Sequence, residues 1–247
     1  MVQENRKTGI RLNKYISEAG VCSRREADRL IEQGRVTVDG REPEMGQKVS
    51  EGQIVRVDGR IVEKEKECIV LACNKPSGVV CTTADKENGK RVSNIVSLIK
   101  YPKRVFPVGR LDKDSEGLIL LTNQGEMMDV LLRGANNHEK EYFVKVNRPL
   151  TEKFLKGMQE GVPILDTVTK PCRITKINAY SFRIVLTQGL NRQIRRMCEY
   201  FGYRVVYLRR DRIVNIELGN IPKGGYRKLT DREVVCLKKE LAGGEKK

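Results

Sequence analysis

An uninterrupted apolar run at residues 118–121, Leu-Ile-Leu-Leu, constrains the fold more than any other feature of the chain. The run directly follows a short polar loop that is bounded by Gly109 and Gly117. Consecutive apolar residues next to a turn signal are typical of a buried strand. We therefore expect a strand inside a sheet. This strand should hold the loop that carries Asp112 in a fixed position at the sheet edge.

Asp112 is the strongest candidate in the chain for a reactive group. Its neighbour Leu111 can enter apolar surroundings, while Arg110 and Lys113 supply positive charge. A carboxylate in that setting stays ionised and is available as a nucleophile or a base. The competing interpretation is an ordinary turn, because Asp and Gly form turns in proteins of every kind.

The size and composition of the chain exclude several classes of protein. The 247 residues suffice for one large and one small domain. No stretch approaches the roughly 20 apolar residues that span a bilayer, and the start of the chain shows no apolar secretory segment, so we expect a cytoplasmic protein. The seven cysteines include no Cys-x-x-Cys pair, which indicates reduced thiols rather than a zinc site or a disulfide scaffold. The single histidine, His138, excludes Ser-His-Asp hydrolysis and multi-histidine metal sites.

Positive charge is concentrated in one part of the chain. The formal net charge is +16, from 48 Lys and Arg against 32 Asp and Glu. Residues 10–60 carry 10 basic and 9 acidic side chains, whereas residues 69–247 carry 34 and 19. A field of this kind attracts a polyanion, and nucleic acid is the expected partner.

The second part of the chain alternates strands with helices of varied length. Strands are predicted at 142–146, 182–187 and 204–208, close to turns rather than to regular crossover helices. Apolar residues at helical spacing predict two helices, one at Val92, Ile95, Val96 and Ile99 and one at Phe154, Leu155 and Met158. The pattern predicts an α+β domain with a mixed, largely antiparallel sheet.

Residues 191–201 predict an amphipathic helix with one apolar and one basic stripe. At about 100° per residue the apolar stripe consists of Ile194, Met197, Cys198 and Phe201. The opposite stripe consists of Arg192, Arg195, Arg196 and Glu199. We expect the first stripe to pack against the protein and the second to present its arginines.

The N-terminal part of the chain predicts a small separate module. A first helix is indicated by Leu12, Tyr15, Ile16 and Ala19, with Gly20 as its stop. A second helix should begin after Ser23, with Glu26 completing a capping box, and end at Gly34. Asp39-Gly40 and Asp58-Gly59 predict hairpin turns between short strands.

Three segments of the second part together resemble the RNA pseudouridine synthases, in the branch that modifies single sites in ribosomal RNA. They are Gly109-Arg110-Leu111-Asp112 with Gly117-Leu118 and Thr122-Asn123, then His138-Glu139-Lys140-Glu141-Tyr142, and then residues 189–197. They lie in the family's order, and the match continues over residues 69–230. Residues 111–119 and 162–170 are most similar to a large-subunit member of this branch.

The resemblance implies roles for individual residues. Asp112 would be the essential nucleophile or base, Arg195 its ion-pair partner, and Tyr142 the ring that stacks on the target uracil and accepts a proton from C5. From its position alone Tyr142 is also suited to ordinary core packing. Contacts to the substrate are expected from Arg110, Leu111, Arg192 and Gln193. The reaction would isomerise uridine to pseudouridine with no cofactor and no metal, and the residues leave open whether Asp112 attacks C1′, adds to the base or removes the C2′ proton.

The N-terminal module resembles the S4 RNA-binding domain through residues 11–16, 23–27 and 34–40. The resemblance implies that the two helices bind structured RNA. The candidate phosphate contacts are Arg11, Lys14, Arg24, Arg25 and Arg29. The near-neutral charge of the module leaves an ordinary solvated helix face as the alternative.

These observations predict five segments: a disordered tail at 1–9, an S4 domain at 10–60, a linker at 61–68, a catalytic domain at 69–240 and a tail at 241–247. We expect a monomer that binds ribosomal RNA, with a large-subunit stem-loop as its target and no membrane or obligate protein partner. One alternative is a non-catalytic S4-containing RNA-binding or ribosome-assembly protein. A second is a calcium loop at Asp112, Asp114 and Glu116, although Asn123 stands where such a loop needs a bidentate glutamate.

Overall fold

Contacts between residues group the chain into two units. The smaller consists of Met1–Cys68 with two short returning segments, Pro102–Val105 and Asn123–Gly125, and the larger holds the remaining residues. This computed structural model describes residues 9–63, 67–87, 89–125 and 138–243. Both returning segments lie inside the range 69–240 that the sequence predicts for the catalytic domain.

Two short helices build one side of the smaller unit, as their apolar spacing predicts. Helix α1 spans Leu12–Glu18 and helix α2 spans Arg24–Glu32. The hydroxyl of Ser23 accepts a hydrogen bond from the backbone N–H of Glu26 at 3.2 Å, and a cap of this type contributes about 1 kcal/mol. The predicted capping position is therefore confirmed.

The strands of the smaller unit are short. They are β1 (Ile10–Arg11), β2 (Val36–Val38), β3 (Lys48–Val49), β4 (Val55–Val57) and β5 (Arg60–Ile61). Both predicted Asp-Gly turns have two positive φ angles. Asp58-Gly59 joins β4 to β5 as predicted, whereas Asp39-Gly40 is closed only by the pairing of Val38 with Arg41, and β2 pairs with β4. Buried residues from both helices and from these strands form one apolar cluster.

The larger unit is built on a nine-stranded sheet. Its strands are β6 (Val70–Lys75), β9 (Phe106–Val108), β10 (Glu116–Thr122), β11 (Lys140–Val146), β14 (Arg173–Asn178), β15 (Ser181–Leu186), β16 (Val205–Ile213), β17 (Ile216–Glu217) and β18 (Tyr226–Lys228). Two hairpins lie outside it, β7 (Lys86–Glu87) with β8 (Lys90–Arg91) and β12 (Pro163–Ile164) with β13 (Thr167–Val168). The helices are α3 (Ile95–Ile99), α4 (Glu152–Glu160), α5 (Gln193–Tyr200) and α6 (Asp231–Gly243).

The order of the main strands is β14-β15-β11-β16-β10-β6-β18, with β17 beside β16 and β9 beside β10. The β10–β16 pair is parallel, and the other pairings in the described sheet are antiparallel. The α+β class with a mixed, largely antiparallel sheet is thus confirmed. The apolar sides of α4 and α5 pack against β11, β15 and β16 in one cluster.

One row of paired residues crosses the middle of this sheet. It runs through Ile184, Tyr142, Arg210, Gly117 and Lys75, on β15, β11, β16, β10 and β6 in turn. Directly paired residues project to the same face of a sheet. We call this set the cross-sheet row, because it brings a tyrosine and two cations of distant sequence positions to one face.

The predicted tails and the predicted linker can be compared with the structure only in part. The predicted tail at 1–9 falls almost entirely outside the described residues, as does the middle of the predicted linker at 61–68. Helix α6 continues to Gly243, so residues 241–243 of the predicted tail at 241–247 are helical, and its other residues lie outside the described part of the chain. Across the described residues, the helices are too short or too polar to cross a membrane.

Gly117 is the tightest point of the cross-sheet row. Its φ is +99°, and a Cβ atom there would collide with the backbone oxygen of Arg210. We expect Gly117→Ala to lower the free energy of unfolding by about 3 kcal/mol, because both backbone strain and a forced separation of β10 from β16 act together. Gly219→Ala is the matched control, since Gly219 has φ +54° and open space around it. Chemical denaturation compares the two, and an equal loss in both would show that the collision is unimportant.

Candidate active site

The loop that carries Asp112 connects β9 to β10 and is held at both ends. The backbone N–H of Leu111 donates to Sγ of Cys81 at 3.3 Å. The backbone N–H of Ser115 donates to the carbonyl oxygen of Asp112 at 3.1 Å, which closes a tight turn. Leu111 is buried, as predicted from its neighbourhood, while Asp112 keeps part of its carboxylate accessible. The loop therefore presents one carboxylate from a fixed backbone.

Lys75, at the end of the cross-sheet row, also binds the loop that carries Asp112. Its fully buried ammonium group donates to the carbonyl oxygens of Pro76 at 3.0 Å, Val79 at 2.8 Å and Lys113 at 3.2 Å. Burial lowers the pKa of Lys75. Sequence reasoning missed this residue. Its signal was a lone cation that ends an apolar strand, immediately before the Pro-Ser-Gly turn.

Two arginines flank Asp112. Nε of Arg195 and Nη1 of Arg192 each lie 3.8 Å from Oδ2 of Asp112. The same two side chains approach the Asp114 carboxylate at 3.3 Å. The structure therefore brings together the predicted pair of Asp112 and Arg195, and it adds Arg192 and Asp114 to that pair.

Arg195 is held rigidly by the protein. Its guanidinium donates to the carbonyl oxygens of Val205 and Asp114 and to the Ser115 hydroxyl, at 3.5, 3.3 and 3.2 Å. Its Nε is buried without a hydrogen-bond acceptor among the described residues, and this is the atom nearest to Asp112. An arginine that is fixed on three sides can hold a carboxylate in one orientation.

The pKa of Asp114 shows that the positive charges of the site outweigh the effect of burial. Burial acts to raise the pKa of Asp114, but the charge of Arg195 and a hydrogen bond from Arg192 outweigh it, so that the pKa is lowered. Both carboxylates of the loop thus lie in a positive field. This field comes from Arg192 and Arg195, whereas the sequence suggested Arg110 and Lys113 as its source.

The helix that supplies these arginines differs in one respect from the predicted pattern. Arg195 is buried with the apolar residues instead of being presented on the opposite stripe. On the helical wheel it lies at the edge of the apolar stripe, where a long side chain can turn inward. Arg192 precedes α5 at φ 50°, in the left-handed conformation.

Gln193 was expected to contact the substrate, but both ends of its buried side chain have partners in the protein. Its Oε1 accepts a hydrogen bond from the backbone N–H of Leu190 at 3.0 Å, and its Nε2 points at Sδ of Met197. The side chain therefore ties the segment that precedes α5 to the first turn of the helix. Arg110, by contrast, is exposed on the loop next to Asp112.

Tyr142 lies in the cross-sheet row, partly buried at the margin of the apolar cluster. Its ring is 6.0 Å from the guanidinium carbon of Arg210. Arg210 also acts on Cys81: burial raises the pKa of Cys81, while the hydrogen bond from Leu111 and the positive charge of Arg210 act to lower it. A β-bulge separates Glu141 from Tyr142 in the pairing with β16, and bulges of this kind commonly redirect side chains beside active sites.

The acidic groups of the loop are not arranged for a cation. Asp112 and Asp114 face arginines, and Glu116 is bound by Lys223 at 2.8 Å and by the Tyr207 hydroxyl at 3.0 Å. Each carboxylate therefore already has a positively charged neighbour. This contradicts the calcium-loop alternative.

In the smaller unit the predicted phosphate contacts divide into two groups. Arg11, Arg24 and Arg25 have exposed side chains. Lys14 forms an ion pair with Glu18 at 3.6 Å, and Arg29 forms one with Glu26 at 3.2 Å. The Arg29–Glu26 pair is exposed and therefore weak, so it leaves Arg29 available for exchange with a phosphate, whereas the Lys14–Glu18 pair is more buried.

Comparison with known families matches both parts of the chain. Residues 69–200 match the RNA pseudouridylate synthase family, and residues 10–55 match the S4 domain. The Asp112 loop, Tyr142 and Arg195 all lie within the first of these matches. The predicted S4 module is thereby confirmed as well.

Individual relatives agree with the family matches. The dual-specificity RNA pseudouridine synthase RluF of Escherichia coli (strain K12) is 53% identical over 93% of this chain and 79% of its own length. The ribosomal large subunit pseudouridine synthase B of Bacillus subtilis (strain 168) is 34% identical over 92% of this chain and 95% of its own length. A crystal structure of a pseudouridylate synthase superposes with a TM-score of 0.67 at 27% identity, over 92% of this chain and 99% of that one. Sequence and fold therefore agree that this chain belongs to the RNA pseudouridylate synthase family, the enzymes that isomerise uridine to pseudouridine in RNA.

Proposed function

We propose that Asp112 is the essential catalytic residue of this synthase, that Arg195 orients it, and that Tyr142 stacks on the target uracil and receives the proton from C5. The observation that carries this assignment is the position of the Asp112 carboxylate, 3.8 Å from each of two arginines and on a loop fastened to the sheet. An ionised carboxylate with a fixed direction is what attack at C1′, addition to the base or removal of the C2′ proton would each require.

A uridine inside an RNA stem must leave the stack before it can reach Asp112. We propose that Arg110, Leu111 and Arg192 contact the extruded nucleotide or the RNA around it. Arg110 is exposed and Arg192 is half-exposed beside the carboxylate, so both suit a phosphate or the gap left by the base. Gln193 is left out of this set because its buried side chain already has partners at Leu190 and Met197.

Tyr142→Phe tests the proposed proton acceptor. The ring survives this change, so stacking and RNA binding should be retained, while removal of the C5 proton should slow by about 10-fold or more. Release of tritium from RNA labelled at uracil C5 measures the proton step, and nucleoside analysis of the same RNA measures loss of uridine. Tyr180→Phe, at an exposed ring, is the control. If Tyr142→Phe releases tritium at the normal rate, the role of Tyr142 is confined to packing and stacking.

We propose that the target is a uridine in a stem-loop of large-subunit ribosomal RNA and that the enzyme works in the cytoplasm. The relative from Bacillus subtilis is named for the ribosomal large subunit, and the strong positive charge of the catalytic part suits a large RNA. The relative from Escherichia coli is named for dual specificity, which makes a second RNA class worth measuring.

Mapping of pseudouridines decides the target. Protein-free large-subunit RNA, small-subunit RNA and transfer RNA would each be incubated with the enzyme and sequenced for pseudouridine. We expect one strong site in the large-subunit RNA. Modification confined to another RNA class would overturn the proposed target, and C5 tritium release from none of the three would support the non-catalytic RNA-binding alternative.

The smaller unit should select the target through its exposed arginines. We expect Arg24→Glu with Arg25→Glu to lower modification of large-subunit RNA by about 10-fold or more, because two phosphate contacts become repulsive. The rate on a short hairpin that contains the same uridine should change little. Arg41→Glu with Arg60→Glu places the same charges at exposed strand-side positions of this unit and serves as the control. Equal effects of the two double variants would mean that only net charge matters.

A further inference from the structure

Arg210 is a buried cation that the proposed mechanism does not yet use. It is 4% exposed, and its Nε donates to the carbonyl oxygen of Leu118 at 2.7 Å. Its Nη2 is buried without a hydrogen-bond partner among the described residues. An unsatisfied buried donor on a charged group is costly, so its presence in a native fold needs a reason.

Arg210 lies directly beside the residue that is proposed to stack on the target uracil. In the cross-sheet row it stands between Tyr142 and Gly117, and its guanidinium carbon is 6.0 Å from the Tyr142 ring. Gly117 contributes no side chain to this face. The unsatisfied donor therefore belongs to a residue directly beside the ring that is proposed to stack on uracil, on the same face of the sheet.

A second cation strengthens the positive field at the same place. Lys140 lies two residues before Tyr142 on β11, so both side chains project to the same face. Burial, and then the like charge of Arg210, lower the pKa of Lys140 to about 8. Neither Lys140 nor Arg210 forms an ion pair with a carboxylate in the described part of the chain. Two repelling cations without a counter-charge are arranged to receive an anion.

The reaction itself generates an anion at this position. When the bond from N1 to C1′ breaks, its electron pair stays on the uracil, and the charge spreads over N1, O2 and O4. Addition of Asp112 to the base would also place negative charge on a carbonyl oxygen. In the later steps C5 bonds to C1′, the C5 proton leaves and N1 gains a proton, so the sum is an isomerisation. Every route that is open to Asp112 therefore passes through a negatively charged uracil.

We propose that Arg210, assisted by Lys140, is a further catalytic residue, whose free Nη2 donates a hydrogen bond to a carbonyl oxygen of the extruded uracil and stabilises the negative charge that develops on the ring. This inference rests on the proposed placement of the uridine between Asp112 and Tyr142. Loss of one such preorganised donor typically lowers the rate of the chemical step by about 100-fold to 1,000-fold.

The test compares two bases that differ in the stability of their anions. Full-length enzyme and its Arg210→Gln variant would be assayed in single turnover, at saturating concentration, on a hairpin carrying either uridine or 5-fluorouridine at the mapped site. Consumption of the starting nucleoside is the readout. Fluorine stabilises the uracil anion, so we expect Arg210→Gln to lose about 100-fold on uridine and clearly less on 5-fluorouridine, with RNA affinity nearly unchanged. An equal loss on both bases would show a structural role and overturn the proposal, as would no loss at all.

A second variant tests the same proposal in case the Arg210→Gln protein does not fold. Lys140→Met leaves the contact to Leu118 intact, and we expect it to show a smaller loss, about 10-fold, with the same dependence on the base. Arg209→Gln and Lys145→Met are controls, because these residues lie on the same two strands as the pair but project to the opposite face. If Lys140→Met also shows no dependence on the base, the proposal fails. Asp112→Asn in the same assay tests the proposed function separately from the role of Arg210. Activity in that variant would reject the placement of the uridine beside Asp112.

Discussion

Asp112→Asn is expected to reduce turnover by about three orders of magnitude or more while RNA affinity stays within a few-fold of the wild type. The substitution keeps the size and polarity of the side chain and removes only its negative charge. Arg192 and Arg195 would then face a neutral amide, which is a poor nucleophile and a poor base. Tritium release from C5-labelled RNA in single turnover measures the chemical step, and a filter-binding titration measures affinity.

A matched control for this prediction exists in the same unit. Asp166 is exposed in the turn between β12 and β13, so Asp166→Asn makes the same chemical change away from the site. We expect its turnover to equal that of the wild type. Residual activity above about a tenth of wild type in Asp112→Asn would remove Asp112 from the catalytic role.

Arg195→Ala is expected to lower turnover by about 100-fold or more and to destabilise the protein as well. The guanidinium supplies one of the two positive charges that lie 3.8 Å from Asp112, and it also satisfies the oxygens of Ser115, Asp114 and Val205. Its removal leaves the Asp112 carboxylate free to rotate and leaves buried acceptors without a donor. A second signature should appear at Asp114, whose pKa should rise when one of its two cations is lost.

Arg195→Lys separates the two effects of this residue. The lysine keeps the charge but offers a single donor group, so it cannot reproduce the fixed set of contacts. We expect stability to be partly restored and turnover to remain well below that of the wild type. The pKa of Asp114 can be followed by NMR of the carboxyl carbons. Wild-type turnover in Arg195→Lys would show that positive charge alone suffices, and that a rigid arginine is unnecessary.

The elements of the fold follow closely from local sequence patterns. The run at 118–121, the capping position at Ser23 and the two Asp-Gly turns are each determined by residues within one short segment, and all appear in the structure. The pairing of Asp112 with Arg195 required a different kind of information. Nothing local to either residue indicates that a loop before β10 meets a helix some 80 residues later, and the resemblance to a known family supplied that link.

The burial of Lys75 and of Arg210 could not be predicted from the local sequence. Lys75 and Arg210 look in sequence like solvent-facing charges, because Lys75 ends its strand just before a turn and Arg210 stands between two other charged residues. Their meaning depends on the neighbouring strands, since Lys75 and Arg210 both pair with Gly117 and Arg210 also pairs with Tyr142. A usable signal did exist: Arg210 shares the inward parity of Leu208, and a charge at an inward position is unexpected unless the protein has a use for it.

The returning segments of the smaller unit have a consequence for modular engineering. Arg104, in Pro102–Val105, donates to the carbonyl oxygen and hydroxyl of Ser17 at 3.0 and 3.1 Å, so α1 is completed by a stretch that is remote in sequence. Cutting the chain at residue 60, or grafting residues 10–60 onto another enzyme, would therefore transfer an incomplete module. A graft that retains its RNA selectivity should need the two short returning segments as well, and a chimera built without them should show a loosened first helix.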